Sequence, residues 1–256
     1  MTTTWLHKVI TIAVLAAAWE LVARLGVFPK LIFPAISDAL VWIVSHRADV
    51  WSATLFTLQM LGIAIGISLL LAFSLATISV MSPRARASVD AIISVCNPIP
   101  GLALLPFAIL WFGFTSNAVI FVVVYTNVWA LTINISSGFS TIRRTLLEVG
   151  KNFGLSVPQY LLDILMPAAL PSIISGLRIS WALSWRSVVG VELVFGAVGQ
   201  VLGLGATIYT QQFLLDAAGI MGILLVIAGI GLVMENVVLA VLAQRTVVRW
   251  GVQIAT

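Results

Sequence analysis

Long apolar runs separated by short charged clusters organise this chain. No charged residue lies between Asp49 and Arg84, so about 53–80 can form one membrane crossing. A second uncharged run extends from Asp90 to Arg143. A crossing needs roughly 20 apolar residues, so that run suits two spans with a tight turn. Glycine and short polar residues gather at Trp111-Phe112-Gly113-Phe114-Thr115-Ser116-Asn117 and predict that turn, which divides the run into spans of about 89–112 and 117–139. Apolar stretches at about 9–25 and 217–243 add a first and a last span. About 171–196, apolar despite three charges, adds one between them. The stretch 197–215 is uncharged, but Gly199, Gly203, Gly205, Gln200, Gln211 and Gln212 make a poor lipid-facing helix. It predicts an outer connection, re-entrant or lying on the surface.

Composition turns this pattern into a fold class. Of 256 residues, 61% are apolar and 9% charged, with a mean hydropathy of +1.15. Soluble domains carry about 25% charged residues, so a soluble domain, a disordered chain and a nucleic-acid binder are excluded. The expected fold is an all-α integral membrane protein of six transmembrane helices in one domain, 1–256, with the lipid bilayer as its first partner. The net charge is only +4, so the placement of charge says more than its sum. Lys8, Arg84, Arg86, Arg143, Arg144, Lys151, Arg245 and Arg249 fall on one side of a six-span topology, and Arg24, Lys30 and Arg47 on the other. Basic residues favour the cytoplasm, so both termini are expected inside. His7-Lys8, an apolar run and Ala16-Ala17-Ala18 also fit a signal peptide. The apolar character continues through Leu21, Val22 and Leu25, which favours an uncleaved first span.

The chain is poor in reactive groups. Its histidines, His7 and His46, lie outside the expected spans, and Cys96 is the single cysteine. No histidine triad, disulfide framework or cysteine-rich metal site is available. Gly150-Lys151-Asn152 lacks the earlier glycine and the Ser/Thr of a phosphate-binding loop. Carboxylates in the spans stand singly, as Glu20, Glu192 and Glu235, rather than in pairs. The sequence therefore predicts no enzyme and no cofactor in this chain. What remains is transport or a structural membrane subunit. A self-sufficient secondary transporter or channel for a small anion is the rival from another class, although no 3+3 inverted repeat is visible.

The only sizeable cytoplasmic loop, about 140–170 between spans four and five, is charged where the rest is not. Apolar residues at 146, 147, 150 and 153–155 form a helical stripe ending at Gly154, and Ser156 with Pro158 suits the start of a second short helix. Two short helices could form a projecting knob, or lie on the lipid surface. Glu148-Val149-Gly150, then Gly154, then nine residues, then Ile164-Leu165-Met166-Pro167 resembles the EAA loop of binding-protein-dependent ABC importer permeases. The glutamate, glycine, isoleucine and proline fall in register, whereas Val149, Gly150 and Met166 depart from the pattern.

The resemblance spans about residues 19–250 and is closest to the nitrate/sulfonate/taurine branch. Trp19-Glu20, Gly26 and Phe33-Pro34 resemble its first span and outer loop. Asn97-Pro98-Ile99-Pro100 with Leu105-Pro106 and Ile109-Leu110-Trp111-Phe112-Gly113 resemble its third span. Gly176-Leu177-Arg178-Ile179, Trp185 and Glu192-Leu193 resemble its fifth span, and Gly203-Leu204-Gly205 its outer loop. Asn97 stands where arginine is usual, Gly101 where proline is, and Arg186 where a small or apolar residue is.

The resemblance implies a type I importer permease, one of two permease chains, as a homodimer, in a bacterial inner membrane. Two ABC ATPase subunits would bind ATP-Mg beneath it, and an extracytoplasmic binding protein would deliver a small anionic solute. The loop would be a coupling helix seated in the ATPase, with Glu148, Val149, Gly150, Phe153, Gly154, Leu155 and Pro167 as its contact and hinge residues. Candidate pathway residues are Arg186, Glu192, Asn97 and Trp185. Intramembrane charges are expensive, about +2.5–3.5 kcal/mol on insertion scales, and mark a pathway or a buried pair. Arg186 is therefore expected to meet a passing anion, or else Glu235 or Glu192 of a second chain. Arg178, near the cytoplasmic end, can snorkel, and Glu20 with Arg24 forms an i,i+4 pair.

Overall fold

Hydrocarbon offers the backbone no hydrogen-bond partner, so spanning segments must close their bonds internally. The computed structural model describes residues 2–142, 156, 159–196 and 203–243, and among these the ordered elements are all helical. They are α1 (Thr2–Arg24), α2 (Ile36–Ser45), α3 (Arg47–Met81), α4 (Pro83–Cys96), α5 (Leu105–Phe112), α6 (Ser116–Ser140), α7 (Met166–Gly196), α8 (Leu204–Phe213), α9 (Ala217–Val233) and α10 (Leu239–Ala243). A 3₁₀ turn, Gly101–Leu104, leads into α5. Wider π turns, Tyr160–Leu165 and Met234–Val238, lead into α7 and α10.

Among the described residues, Arg47–Met81, Ser116–Ser140, Leu162–Gly196 and Ala217–Leu242 are long and apolar enough to cross a membrane. A fifth crossing arises if the bent pair Pro83–Cys96 and Gly101–Phe112 counts as one. The first expected span lies on α1, 23 residues long and outside those five. The third expected span, 89–112, falls on that bent pair, two helices that meet at 81°. Pro98 and Pro100 cause the break, because neither has an N–H to donate to Ser94 or Cys96. The Cys96 carbonyl instead accepts from the Ile99 N–H at 3.2 Å and from the Tyr125 hydroxyl at 2.8 Å. The expected turn is present: Gly113 has φ +67, which glycine adopts without a Cβ penalty, and α6 starts at Ser116.

By residue proximity the chain divides into two compact units, Met1–Thr57 with Glu192–Ile230, and Leu58–Val191 with Gly231–Thr256. In the first, α2 lies against α9 through glycines. A Cβ on Gly219 or Gly222 would come within 2.9 Å or 3.1 Å of the Trp42 ring. Asp216 caps α9 by accepting the Gly219 N–H at 3.0 Å. Trp19 stacks on Phe33 at 4.1 Å and donates its indole N–H to the Pro34 carbonyl at 3.0 Å, which holds the chain leaving α1.

The second unit is built on close approach of α6 and α7. Gly138 meets Ser172 and Ala169, and Gly176 meets Asn134. Small residues let two spans approach where the hydrophobic effect between helices is absent. The same seam carries hydrogen-bonded polar groups, while Asn127 Oδ1 and Ser180 Oγ are buried there without a partner. Asn127 donates to Ser184, Ser184 donates to the Ser180 carbonyl at 2.7 Å, and the Thr126 and Ser187 hydroxyls lie 3.3 Å apart. Below it pack Ala72 and Ala76 of α3, Leu131, Ile135 and Phe139 of α6, and Ala169 of α7.

A Cβ at Gly138 would lie 2.7 Å from Ser172 Cβ, and one at Gly176 would lie 2.8 Å from Asn134 Cβ. Gly138→Ala and Gly176→Ala should therefore each destabilise by about 1–3 kcal/mol, since the helices must part or strain. Gly229→Ala, where nothing lies within 4 Å, should change stability by under about 1 kcal/mol. Thermal unfolding of the three variants in detergent checks the contrast.

Candidate functional site

The loop candidates Glu148, Val149, Gly150, Phe153, Gly154 and Leu155 lie outside the described residues. Pro167 is described, half-buried at the second position of α7, directly after the π turn Tyr160–Leu165. Without an N–H it cannot bond to the Asp163 carbonyl, and the widened turn sits where that i→i−4 bond is missing.

Glu192 is fully buried, four residues before the end of α7. Both its carboxylate oxygens lie 2.9 Å from the Thr57 hydroxyl, and Oε2 also accepts the Gly205 N–H at 3.1 Å. The Leu204 N–H donates to Thr57 Oγ1 at 3.0 Å. Leu204 and Gly205 open α8, whose first N–H groups have no intrahelical acceptor. Gly203 at the N-cap has no side chain to serve them. Glu192 and Thr57 therefore cap α8 from two other helices, and the carboxylate lies at the favourable end of its dipole.

Glu20 serves α2 in the same manner. Its Oε2 accepts the Ser37 N–H at 3.2 Å, its Oε1 accepts the Ser37 hydroxyl at 2.6 Å, and Arg24 pairs with it at 3.0 Å. The expected Glu20–Arg24 pair is thus present, within a larger arrangement that also draws in Asp38, 3.7 Å from Arg24.

The other intramembrane charges are arranged differently. Arg178, Arg186 and Glu235 are exposed, and none makes a hydrogen bond or ion pair among the described residues. Arg178 and Glu235 share the wall of an open depression of about 330 Å³ with Ile179, Ala182 and Leu183. Glu235 sits on the π turn Met234–Val238, a local widening of a kind frequent at functional sites. Trp185, next to Arg186, points the other way: it is 7% exposed, stacks on Trp181 at 5.7 Å, and its indole nitrogen lies 3.5 Å from where a Gly231 Cβ would be. Asn97 is exposed at the break after α4.

A second cavity, about 800 Å³, opens between the end of α3, the start of α4 and the end of α6. Ser79, Ser82, Ser94, Ser136, Ser137 and Ser140 line it with Arg86 and Asp90. Ser79, Ser94 and Ser140 donate to carbonyls of their own helices, and the Ser79 and Ser136 hydroxyls lie 3.4 Å apart. The lining suits water and polar solutes. Arg86 and Asp90, 3.9 Å apart and both well exposed, hold each other only weakly. Among the described residues no three His, Cys, Asp or Glu side chains gather as a metal ion would require.

Sequence reasoning missed the partners Thr57, Ser37 and Asn127. The paired glycines Gly203 and Gly205 were visible as a motif, but a lone threonine in an apolar run announces nothing.

A Cβ on Gly203 would fall 2.5 Å from both Glu192 carboxylate oxygens, so Gly203→Ala should displace α8 and lower the melting temperature. Glu192→Ala should do so too, at about 1–3 kcal/mol for each donor left unpaired, and Glu192→Gln, which keeps an acceptor, should lose less. Differential scanning fluorimetry ranks the three.

The family model described as "Binding-protein-dependent transport system inner membrane component" matches residues 62–249. The taurine transport system permease protein TauC of Escherichia coli is 27% identical over 94% of this chain and 88% of its own length. The nitrate import permease protein NrtB of Synechocystis is 38% identical over 44% of this chain and 41% of its own. Among solved structures, a chain of the MetNI methionine ABC transporter in an inward-facing conformation aligns with a TM-score of 0.64, at 20% identity, over 79% of this chain and 98% of that one. At that identity the likeness establishes the fold. With its family model covering 62–249, this protein belongs to the binding-protein-dependent transport system inner membrane components.

Proposed function

We propose that this chain is the pathway-forming permease of an ATP-driven importer for a small oxyanion-bearing solute. The observation that carries the reading is the family match over 62–249, joined to the loop motif Glu148…Gly154…Ile164…Pro167 in the same stretch. Two copies form the pathway, two separate ATPase subunits bind ATP-Mg, and a soluble binding protein supplies the solute from outside. Relatives named for taurine and nitrate transport support the substrate class, since a sulfonate and a nitrate share delocalised negative charge on oxygen.

In this reading six spans cross the bilayer. They comprise α1, α3, the bent pair α4–α5, α6, α7 and the α9–α10 stretch, with both termini inside. α8, of ten residues, rises only about 15 Å and is too short to cross, so it belongs to the outer connection. The loop after α6 seats on the ATPase as a short amphipathic helix in a groove, a recurring recognition mode. Glu148 is its polar anchor, Gly154 its tight turn, and Phe153 and Leu155 its apolar contacts. Pro167, at the root of α7, joins that loop to the span. The serine-lined cavity at the inner ends of α3 and α6 gives a polar solute a hydrated exit.

The chain should co-purify with its ATPase and binding protein when the three are expressed together, and the assembled complex should accumulate solute in liposomes only with ATP. Transport by the chain alone would overturn the importer reading in favour of a self-sufficient carrier. Gly154→Arg and Glu148→Lys should weaken ATPase docking and uptake while membrane insertion persists, because both residues stand outside the spans. Normal uptake by a fully assembled complex of either variant would remove the docking role.

A further inference from the structure

Three carboxylates, Glu20, Glu192 and Glu235, and two arginines, Arg178 and Arg186, stand within the long apolar stretches of the chain. Glu20 is engaged by Arg24 and Ser37. Glu192 is enclosed, with Thr57, Gly205 and the Gly203 backbone against it and no exposed surface. A second chain cannot reach it, which removes the expected pairing of Arg186 with Glu192 of another copy. Glu235 shares one depression with Arg178. Arg186 is left exposed with no carboxylate among the described residues.

Its place on α7 sharpens the point. Arg186 stands ten residues before Gly196, about 15 Å of helix rise, which is too deep for the side chain to reach the bilayer surface from there. Exposed Ser175 and Ile179 and half-buried Ala182 lie on the same side of the helix, at spacings of eleven, seven and four residues. The guanidinium therefore projects from a face of small and apolar residues. Facing lipid at that depth would cost about +2.5–3.5 kcal/mol on insertion scales. A water-filled pathway in which anions pass removes most of that cost.

We propose that Arg186 is the anion-contacting residue of the translocation pathway, an oxyanion site of one guanidinium per chain at mid-membrane. The proposal rests on the permease reading above. A planar guanidinium donates two parallel N–H bonds to a carboxylate, sulfonate or nitrate. Two chains around one pathway present two such groups, which lower the barrier for an anion and raise it for a cation. Because the contact is made in passage, it sets which solutes traverse quickly and leaves capture to the binding protein.

The test uses the full complex of permease, ATPase subunits and binding protein in liposomes. ATP is enclosed, and taurine, methanesulfonate, nitrate and bicarbonate are the labelled probes. Arg186→Ala should lower uptake of each transported probe about tenfold or more, the loss expected for a hydrogen bond to a charged group. Arg186→Lys should recover part of it. ATPase activity stimulated by the binding protein and the melting temperature should stay near those of the unmodified complex. Equal uptake by Arg186→Ala and the unmodified complex overturns the proposal. So does a lowered melting temperature in Arg186→Ala that Glu235→Gln reproduces, because that identifies an ion pair between chains. An unmodified complex that moves none of the four probes, or moves them without ATP, overturns the oxyanion or importer reading itself. The two failures are thus distinguishable.

Discussion

A backbone N–H enclosed by protein must find its acceptor within the protein, and two helix starts of this chain are organised by that constraint. α2 and α8 both begin without a capping side chain of their own, at Ala35 and Gly203. In each case a glutamate from a long helix reaches across and accepts the orphan N–H groups: Glu20 for α2, and Glu192 with Thr57 for α8. Charges that look expensive in the sequence are thus the acceptors that let two short helices begin within one compact unit. The same α2 packs against the glycine face of α9, where Gly219 and Gly222 meet Trp42.

The same constraint shapes the second unit. Pro98 and Pro100 end α4, and the Tyr125 hydroxyl takes up a carbonyl that the proline cannot serve. Along α6 and α7, hydroxyls and the Asn127 amide meet across a seam narrow enough to need Gly138 and Gly176. In this protein glycine provides the approach and serine the bond, and neither works without the other at that helix separation. The helix α7 that forms one side of this seam also carries the exposed Arg178 and Arg186.

Function follows from what the constraint leaves over. Glu20 and Glu192 are engaged by hydrogen bonds that start two short helices, whereas other polar groups stay open to surroundings outside the chain. Arg186 on α7 is exposed, and serines line the cavity between α3, α4 and α6. The family to which the chain belongs moves solutes handed over by a binding protein.

The sequence by itself determined that this is a helical membrane protein, where the turn at Gly113 falls, and to which family it belongs. Those properties rest on run length, on glycine's freedom at positive φ and on a loop motif with fixed spacing, all local along the chain. It also flagged Arg186 and Glu192 as charges needing partners, but it could not separate them, because a partner for an isolated charge is chosen in three dimensions. Only the tertiary structure decided that Glu192 is enclosed by Thr57 and the start of α8, more than a hundred residues and a dozen residues away respectively. The 81° bend within 83–112 was likewise decided there. Proline announces a possible break, but its angle is set by what the two halves pack against. In this chain that is α6, where Gly101 lies on Thr126 with no room for a side chain.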